Sequence, residues 1–279
     1  MQLSRQEIEE FIDRALAEDI GRGDLTTNVT IAEGTQLKVA MMSRQDVVVC
    51  GLGIAAEVFH RVRADIKVTL IAKDGDKVGP KAPLARIEGD ARAILSAERT
   101  ALNIVQHLSG IATMTRRYAD LVEGTGATLI DTRKTIPTLR NLAKYASYIG
   151  GARNHRIRLD DGVLIKDNHI AAFGSITETI KRAKRQVPAL TVIEIECDTH
   201  EQVREAVEAG ADMILLDNMD AADLKKAVTI VAGRAVLEAS GGINLETIRA
   251  KASTGVDYVS VGRMTQSAPA VDIGLDWGV

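Results

Sequence analysis

Several features are scarce or absent in this chain of 279 residues, and each absence excludes a class of protein. The only two cysteines, Cys50 and Cys197, lie in apolar runs without metal-binding or redox spacing. We therefore interpret them as core residues of a protein from a reducing compartment. The net charge is -3 and no long basic run occurs, so the sequence lacks the basic patch that is typical of nucleic-acid-binding proteins.

Long apolar segments and nucleophile motifs are also missing. No apolar run approaches the roughly 20 residues that cross a bilayer, and the first residues begin a polar amphipathic pattern rather than a secretion signal. No Ser-His-Asp or Cys-His spacing indicates a catalytic nucleophile. We expect a cytoplasmic protein that binds neither membranes nor nucleic acid.

The first third of the chain mixes helix and strand patterns without a repeating rhythm. Ser4 and Glu7 are spaced as a capping box, which predicts a helix over 4–17, followed by a turn-rich loop over 18–27. A long helix is predicted over about 91–106. Strand patterns precede that helix at 36–42, 46–50, 66–71 and 83–89. This mixture is typical of an α+β layer arrangement.

Beyond about residue 113 the patterns alternate strictly between strand and helix. Strands are predicted at 127–132, 162–166, 191–197, 213–217, 235–239 and 258–262. Helices are predicted at 139–148, 176–186, 200–209, 221–231 and 245–253. Such alternation predicts a parallel sheet, either open or closed. Because polar groups follow many successive strands rather than one switch point, we favour an incomplete (β/α) barrel after an N-terminal α+β domain.

Basic residues follow two of the buried strand patterns. Arg133 and Lys134 stand just beyond the apolar run at 127–130, and Lys166 directly follows 162–165. Arg and Lys are rarely buried unless an anion meets them. A structural salt bridge is the alternative for any one of them, but three cations at strand ends together favour a pocket for a multiply anionic ligand.

Two carboxylates, Glu196 and Asp217, end adjacent strands, so both are expected at one edge of the sheet. Paired carboxylates near cations suit Mg²⁺, which typically uses one or two of them together with substrate phosphates. The alternative is that they form salt bridges with Lys134 and Lys166, and in an empty site both arrangements can hold. We assign Glu194 to the other face of its strand and do not expect it to be a ligand.

Two glycine turns late in the chain have the form of a phosphate site. Ser240-Gly241-Gly242 stands between a strand and a helix start, and Gly262 follows another strand. Glycine lets backbone N–H groups approach an anion, and barrels often bind phosphate at their last two strand–loop units. Among the histidines, His155 is the candidate hydrogen-bond donor to a carboxylate.

Fixed cations, a carboxylate pair and a phosphate loop without a nucleophile suit phosphoribosyl transfer from a pyrophosphorylated sugar. Eight segments, in order along nearly the whole chain, also resemble the quinolinate phosphoribosyltransferase family. These segments lie at 18–27, 98–103, 108–113, 131–135, 154–156, 164–169, 215–218 and 240–243.

The resemblance implies an N-terminal α/β domain over 1–112, a barrel domain over 113–267 and a tail over 268–279 that packs back on the N-terminal domain. It implies a homodimer and Mg²⁺ as cofactor. The substrates would be quinolinate and phosphoribosyl pyrophosphate. The products would be nicotinate mononucleotide, pyrophosphate and CO₂, formed in NAD biosynthesis.

The resemblance also implies roles for individual residues. The residues around the quinolinate carboxylates would be Arg99, Arg133, His155, Arg156 and Lys166. The catalytic set would be Lys134, Lys166, Glu196 and Asp217, with Glu196 and Asp217 holding the metal. The 5′-phosphate would be bound by Ser240, Gly241 and Gly262. Arg99 would reach into the site of the partner subunit.

Two departures from the family pattern and three rival functions accompany this interpretation. Thr138 replaces a usual glycine, and Gln266 stands where histidine is frequent, which leaves one phosphate contact neutral.

The nearest rival function is that of a related phosphoribosyltransferase acting on nicotinate or another acid. The second is a barrel isomerase or aldolase with Lys166 as a Schiff base. The third is a non-enzymatic binding protein.

Overall fold

The computed structural model describes residues 1–278, which form two compact units. The first unit contains Met1–Arg116, Asn141–Gly150 and the described residues from Ser267 onward. The second unit contains Arg117–Arg140 and Gly151–Gln266.

In chain order, the elements up to residue 122 are α1 (Arg5–Ile20), α2 (Leu25–Thr30), β1 (Gln36–Ser43), β2 (Val47–Val48), α3 (Leu52–Val62), β3 (Lys67–Leu70), β4 (Lys77–Val78), β5 (Pro83–Asp90) and α4 (Ala91–Val122). Those after it are β6 (Thr128–Ile130), α5 (Arg140–Gly150), β7 (Val163–Ile165), α6 (Asp167–Phe173), α7 (Ile176–Gln186), β8 (Ile193–Cys197), α8 (His200–Glu208), β9 (Met213–Asp217), α9 (Ala221–Val231), β10 (Val236–Ser240), α10 (Ile248–Ala252), β11 (Tyr258–Ser260), α11 (Arg263–Gln266) and β12 (Ile273–Trp277).

The first unit is built on an antiparallel sheet in the order β12-β1-β5-β3, with a separate β2–β4 pair. The chain's last strand therefore joins its first. The predicted capping box is present, because the Ser4 side chain accepts from the Glu7 N–H and the Glu7 side chain accepts in return. The predicted loop over 18–27 is wrong in part, since α1 continues through Ile20 and the Asp24 side chain caps α2.

Helix α4 crosses the domain boundary predicted between residues 112 and 113. It runs without interruption from Ala91 to Val122, and Ile111 and Ala112 are fully buried within it. Gly110 does not end the helix. It provides space instead, because a Cβ there would collide with the Pro269 carbonyl oxygen. Close packing against the C-terminal segment, rather than a turn, accounts for this glycine.

The second unit is a parallel sheet of six strands in the order β6-β11-β10-β9-β8-β7. These are the six strands that the alternating pattern predicted. Strands β6 and β7 form the two edges and do not pair with each other, which agrees with the predicted incomplete barrel. Helices α7, α8 and α9 connect consecutive strands, as expected for parallel βα units. Among the described residues, no helix is long and apolar enough to span a bilayer.

Candidate active site

The carboxyl ends of the parallel strands carry most of the predicted site residues. Lys166 directly follows β7, Glu196 is the penultimate residue of β8, and Asp217 ends β9. Ser240 ends β10 and stands opposite Asp217 in the strand register. Lys134 and Gly262 lie in the segments after β6 and β11. Parallel strands all end at the same edge, so the topology gathers these groups at one edge of the sheet.

Charges of both signs meet at this edge. Lys166 Nζ lies 3.1 Å from Glu196 Oε2, with the lysine side chain 47% exposed and the glutamate 14% exposed. Burial raises the pKa of Asp217 and Asp198 adds to that effect, while Lys166, Lys134 and Lys251 oppose it. Three lysines from separate segments therefore act on one carboxylate.

Each of the two glycine turns contains a position, Gly241 or Gly262, where a side chain would not fit. A Cβ at Gly241 would collide with the Asn218 side chain and lie 2.6 Å from its backbone nitrogen. A Cβ at Gly262 would lie 2.7 Å from Lys134 Cδ. Asn218 donates its N–H to the Ser240 carbonyl at 3.1 Å, which ties the β9 and β10 ends together. Glycine is required here for close approach of backbone and lysine stem.

Arg133 is a cation without a complete set of partners. Its Nε is buried, and no hydrogen-bond acceptor meets it in the part of the chain that the structure describes. Burial lowers the pKa of Arg156, and the neighbouring charge of Arg133 lowers it further. Two guanidinium groups close enough to repel each other, one with an unused buried donor, favour an anionic ligand between them.

His155 forms a buried cluster with two glutamates inside the second unit. Its Nε2 lies 3.0 Å from Glu194 Oε2 and 3.3 Å from Glu238 Oε2. Glu194 is 3% exposed and Glu238 is 1% exposed. The assignment of Glu194 to the face opposite Glu196 was wrong, because residues two apart on a strand share a face.

The protonation of this cluster follows from its geometry. Burial alone would lower the pKa of His155, but the interactions with Glu194 and Glu238 outweigh it and raise the pKa. The Arg156 N–H nevertheless donates to His155 Nδ1 at 2.6 Å, so Nδ1 carries no proton and Nε2–H faces the glutamates. The additional proton then lies on the carboxylates, and burial does raise the pKa of Glu194.

The same geometry excludes a metal ion at this cluster. Among the described residues, His155, Glu194 and Glu238 are the one group of three whose ligand atoms lie within 4.8 Å of one another. A metal at Nε2 would require the proton to sit on Nδ1, where it would meet the Arg156 N–H. The cluster is therefore a hydrogen-bonded group in which both ring nitrogens already have protein partners.

His155 and Arg156 line a cavity of about 340 Å³ at the other end of the strands. Its wall includes Val163, Met213 and Tyr258, the first residues of β7, β9 and β11. Arg156 Nη1 donates to the Gly162 carbonyl, just before β7, at 3.0 Å. The His155 N–H also donates to the Asp131 carboxylate at 2.9 Å, and the charge of Arg133 acts on Arg156, so both predicted quinolinate ligands are also linked to the segment that follows the carboxyl end of β6.

Arg99 belongs to the first unit. It is an exposed residue of α4, and no ion pair to it occurs among the described residues. Thr100 beside it is buried and donates to Asp19 Oδ2 at 3.2 Å. The α4 face that carries Arg99 is therefore open to solvent in the single chain.

Two domain profiles match this chain in sequence. "Quinolinate phosphoribosyl transferase, N-terminal domain" matches residues 24–109, and the C-terminal domain of the same name matches residues 111–276. The chain belongs to the quinolinate phosphoribosyltransferase family. The fold and the resemblance drawn from eight sequence segments are confirmed by this match.

Family members of known name are similar over nearly their whole length. The nicotinate-nucleotide pyrophosphorylase (carboxylating) of Mycobacterium leprae is 42% identical, with 95% of each chain covered. The probable enzyme of the same name from Bacillus subtilis is 39% identical, covering 98% of this chain and 94% of that one. The crystal structure of nicotinate-nucleotide pyrophosphorylase from Ehrlichia chaffeensis is 46% identical, has a TM-score of 0.94 and covers 99% of both chains.

Three charged residues of the second unit were not predicted in their actual positions, two of them in the interior and one near the site. Glu194 and Glu238 lie within strands that are otherwise apolar, and the two-residue spacing of Glu194 and Glu196 could have revealed the shared face. Lys251 is on helix α10 and not at a strand end. Nothing in its local pattern distinguishes it from a surface lysine.

We predict that His155→Ala lowers stability by about 3–5 kcal/mol, because it leaves two buried carboxylates without their hydrogen-bond donor. Urea unfolding would measure the change. His200→Ala is the control, since His200 is paired only with the Asp223 carbonyl at 3.1 Å and its carboxylate at 3.9 Å. Unchanged stability would contradict this structural role and leave His155 only its proposed role in quinolinate binding.

Proposed function

We propose that this protein transfers the phosphoribosyl group of phosphoribosyl pyrophosphate to quinolinate with decarboxylation. The products are nicotinate mononucleotide, pyrophosphate and CO₂, and the reaction belongs to NAD biosynthesis. The observation that carries this proposal is the match of both family domains across residues 24–109 and 111–276. The cation-rich strand ends supply the chemistry that a dicarboxylate and a pyrophosphate require.

Mg²⁺ is the metal that we propose for Glu196 and Asp217. The two carboxylates end neighbouring strands and share the field of Lys166. No third acidic or histidine ligand joins them among the described residues, and Mg²⁺ usually takes one or two carboxylates and completes its shell with phosphates and water. When bound, Mg²⁺ would offset the negative charge of the pyrophosphate.

The side chains of the site would position the substrates and balance their charge. Lys134 would stabilise the leaving pyrophosphate as the C1′–O bond breaks and C1′ gains oxocarbenium character, while Lys166 would lie near a quinolinate carboxylate. The quinolinate nitrogen then forms the new bond to C1′. Arg133, whose Nε lacks an acceptor, would bind a quinolinate carboxylate together with Arg156, whose pKa its charge lowers, and His155 is a further proposed partner.

Decarboxylation needs no general base from the chain. Once the ring nitrogen is quaternary, the bond between C2 and its carboxylate breaks, and its electron pair remains on C2. The adjacent positive nitrogen stabilises that carbanion, which then takes a proton from solvent. The residues required are those that hold the two substrates in place.

The aldolase-type alternative is not supported by the position of Lys166. A Schiff base requires an unprotonated amine, usually obtained by placing lysine in an apolar pocket. Lys166 is instead half-exposed and paired with a carboxylate at 3.1 Å, and a salt-bridged ammonium has no lone pair with which to attack a carbonyl.

We expect CO₂ release from carboxyl-labelled quinolinate when phosphoribosyl pyrophosphate and Mg²⁺ are present, and none from the same mixture after EDTA treatment. Nicotinate replaces quinolinate in the parallel assay, with mononucleotide formation followed by chromatography. Turnover of nicotinate without turnover of quinolinate would refute the proposed substrate, and full activity after metal removal would refute Mg²⁺.

Lys166→Ala and Arg133→Ala are expected to reduce kcat/KM by at least about tenfold each, since a charged hydrogen bond contributes about 1.5–3 kcal/mol. Folding stability should change by no more than about 1 kcal/mol for Lys166, because a half-exposed ion pair contributes little. Lys181→Ala, which removes a similarly exposed ion-paired lysine, is the control. A loss of stability that parallels the loss of activity would show a structural role.

We also propose that two copies form a homodimer in which Arg99 completes the partner's site. Arg99 is exposed and unpaired in the described chain. Beside it, Ser96 of α4 donates to Asp24 Oδ2 at 3.0 Å, and that aspartate caps α2. Leu25 and Val29, one turn apart on α2, are 81% and 80% exposed. An exposed apolar pair beside an unpaired arginine favours a protein contact at this face.

Mixing two inactive variants tests this arrangement. Arg99→Ala and Lys166→Ala homodimers should both be nearly inactive, because every site lacks one cation. After subunit exchange, half of the sites in each mixed dimer have both defects and the other half have neither, so activity should return. Native mass spectrometry would verify exchange. If mixed dimers form and remain inactive, Arg99 does not act across the interface.

A further inference from the structure

Lys251 places an ammonium group at the glycine turn that follows β10. It lies on α10, yet its Nζ reaches back ten residues and donates to the Gly241 carbonyl at 3.3 Å. The residue is only partly exposed. Lys251 therefore belongs structurally to the turn and not to the solvent-exposed surface of its helix.

The charge of Lys251 is also felt by the carboxylates of the site. Burial lowers the pKa of Lys251, and Asp217 and Asp220 oppose that effect. Conversely, Lys251 is one of three lysines that lower the pKa of Asp217. The ammonium thus lies between the glycine turn and the end of β9.

Neither carboxylate is close enough to neutralise Lys251. Asp220 Oδ1 accepts from the N–H groups of Ala222 and Asp223 at 2.8 and 2.9 Å as the cap of α9. Asp217 Oδ2 accepts from the Asn218 side chain at 2.6 Å. No ion pair to Lys251 within 4.0 Å occurs among the described residues. Of its three N–H donors, one is therefore used by a carbonyl and two remain available.

The turn beside this ammonium has space for a ligand. Gly241 and Gly242 both have left-handed backbone conformations, with φ of 83° and 62°. A side chain added at Gly242 would meet no atom within 4 Å, so open volume adjoins the backbone there. Successive left-handed glycines expose backbone N–H groups, and these groups bind anions well when a cation is adjacent.

We propose that Lys251 is a substrate-binding residue that contacts the 5′-phosphate of phosphoribosyl pyrophosphate. The inference rests on the proposed function. The chemistry recognised is a phosphate monoester dianion, bound by the free N–H donors of Lys251 and the turn after β10. Gly262, which follows the neighbouring strand β11, is the other turn residue proposed for this phosphate.

Three substitutions separate charge from structure. Lys251→Gln retains a hydrogen-bond donor for the Gly241 carbonyl but removes the charge, Lys251→Met removes both, and Lys251→Arg keeps both. The dissociation constant of phosphoribosyl pyrophosphate with Mg²⁺, measured by calorimetry, should rise at least about tenfold in the Gln and Met variants. Lys251→Arg should stay within about threefold of wild type. The KM for quinolinate should change by less than about twofold throughout.

Lys226→Met is the matched control, because Lys226 is an exposed lysine of α9 paired with Asp223 at 3.1 Å. It removes the same charge from the same unit and should leave binding unchanged. An equal loss in this control would show a general charge effect and overturn the proposal.

Two further results would overturn the inference while leaving the proposed function intact. Wild-type CO₂ release combined with unchanged phosphoribosyl pyrophosphate binding in both Lys251→Met and Lys251→Gln would exclude the phosphate contact. Weakened binding in Lys251→Met alone, accompanied by a lower melting temperature and a higher KM for both substrates, would assign Lys251 to support of the turn. If the wild-type protein releases no CO₂, the proposed function itself fails.

Discussion

The parallel register of β8, β9 and β10 is the constraint on which the site depends. Ser240 stands opposite Asp217, and Glu196 stands opposite Leu215, one step earlier on the same face as Asp217. On the other face, the intervening Leu216 is fully buried. A slip of one residue in any of these strands would bury the carboxylate and expose the apolar side chain. Core packing therefore sets the positions of groups that contribute little to the core.

Charge is distributed differently at the carboxyl ends of this sheet and in its interior. At the carboxyl ends, three lysines act on Asp217, and one of them, Lys166, remains half-exposed beside Glu196. In the interior, His155 and its two glutamates are enclosed and in contact with one another. Open cations are tolerable in water and become favourable partners when an anion binds, whereas enclosed charges must be balanced within the fold. The first arrangement favours binding, and the second couples His155 to the stability of the fold.

The fold was largely predictable because its signals are local and repeated. Helices α7 and α9 begin and end where predicted, since Ser175 and Asp220 cap them with side-chain hydrogen bonds. Helix α3 was missed, because its N-cap is Gly51, which has no side chain, and the distant Asp74 carboxylate accepts from the Leu52 N–H at 3.2 Å instead. The full length of α4 was missed because Gly110 resembles a stop signal but serves a tertiary contact. Where a residue acts through a distant part of the chain, local pattern carries no information about it.

The predicted residues of the candidate site divide in the same way. Residues at strand ends could be predicted because topology alone brings them together. Lys166, Glu196 and Asp217 are residues of this kind. The direction of a long side chain could not be predicted in this way, because it depends on how the neighbouring side chains pack. Lys251 belongs to α10, which packs beside β11, and from there its side chain reaches the Gly241 carbonyl in the turn after β10. A site built at the ends of parallel strands thus gains contacts from the helices that follow them. Such contacts are visible only in the folded structure, because the local sequence does not encode them.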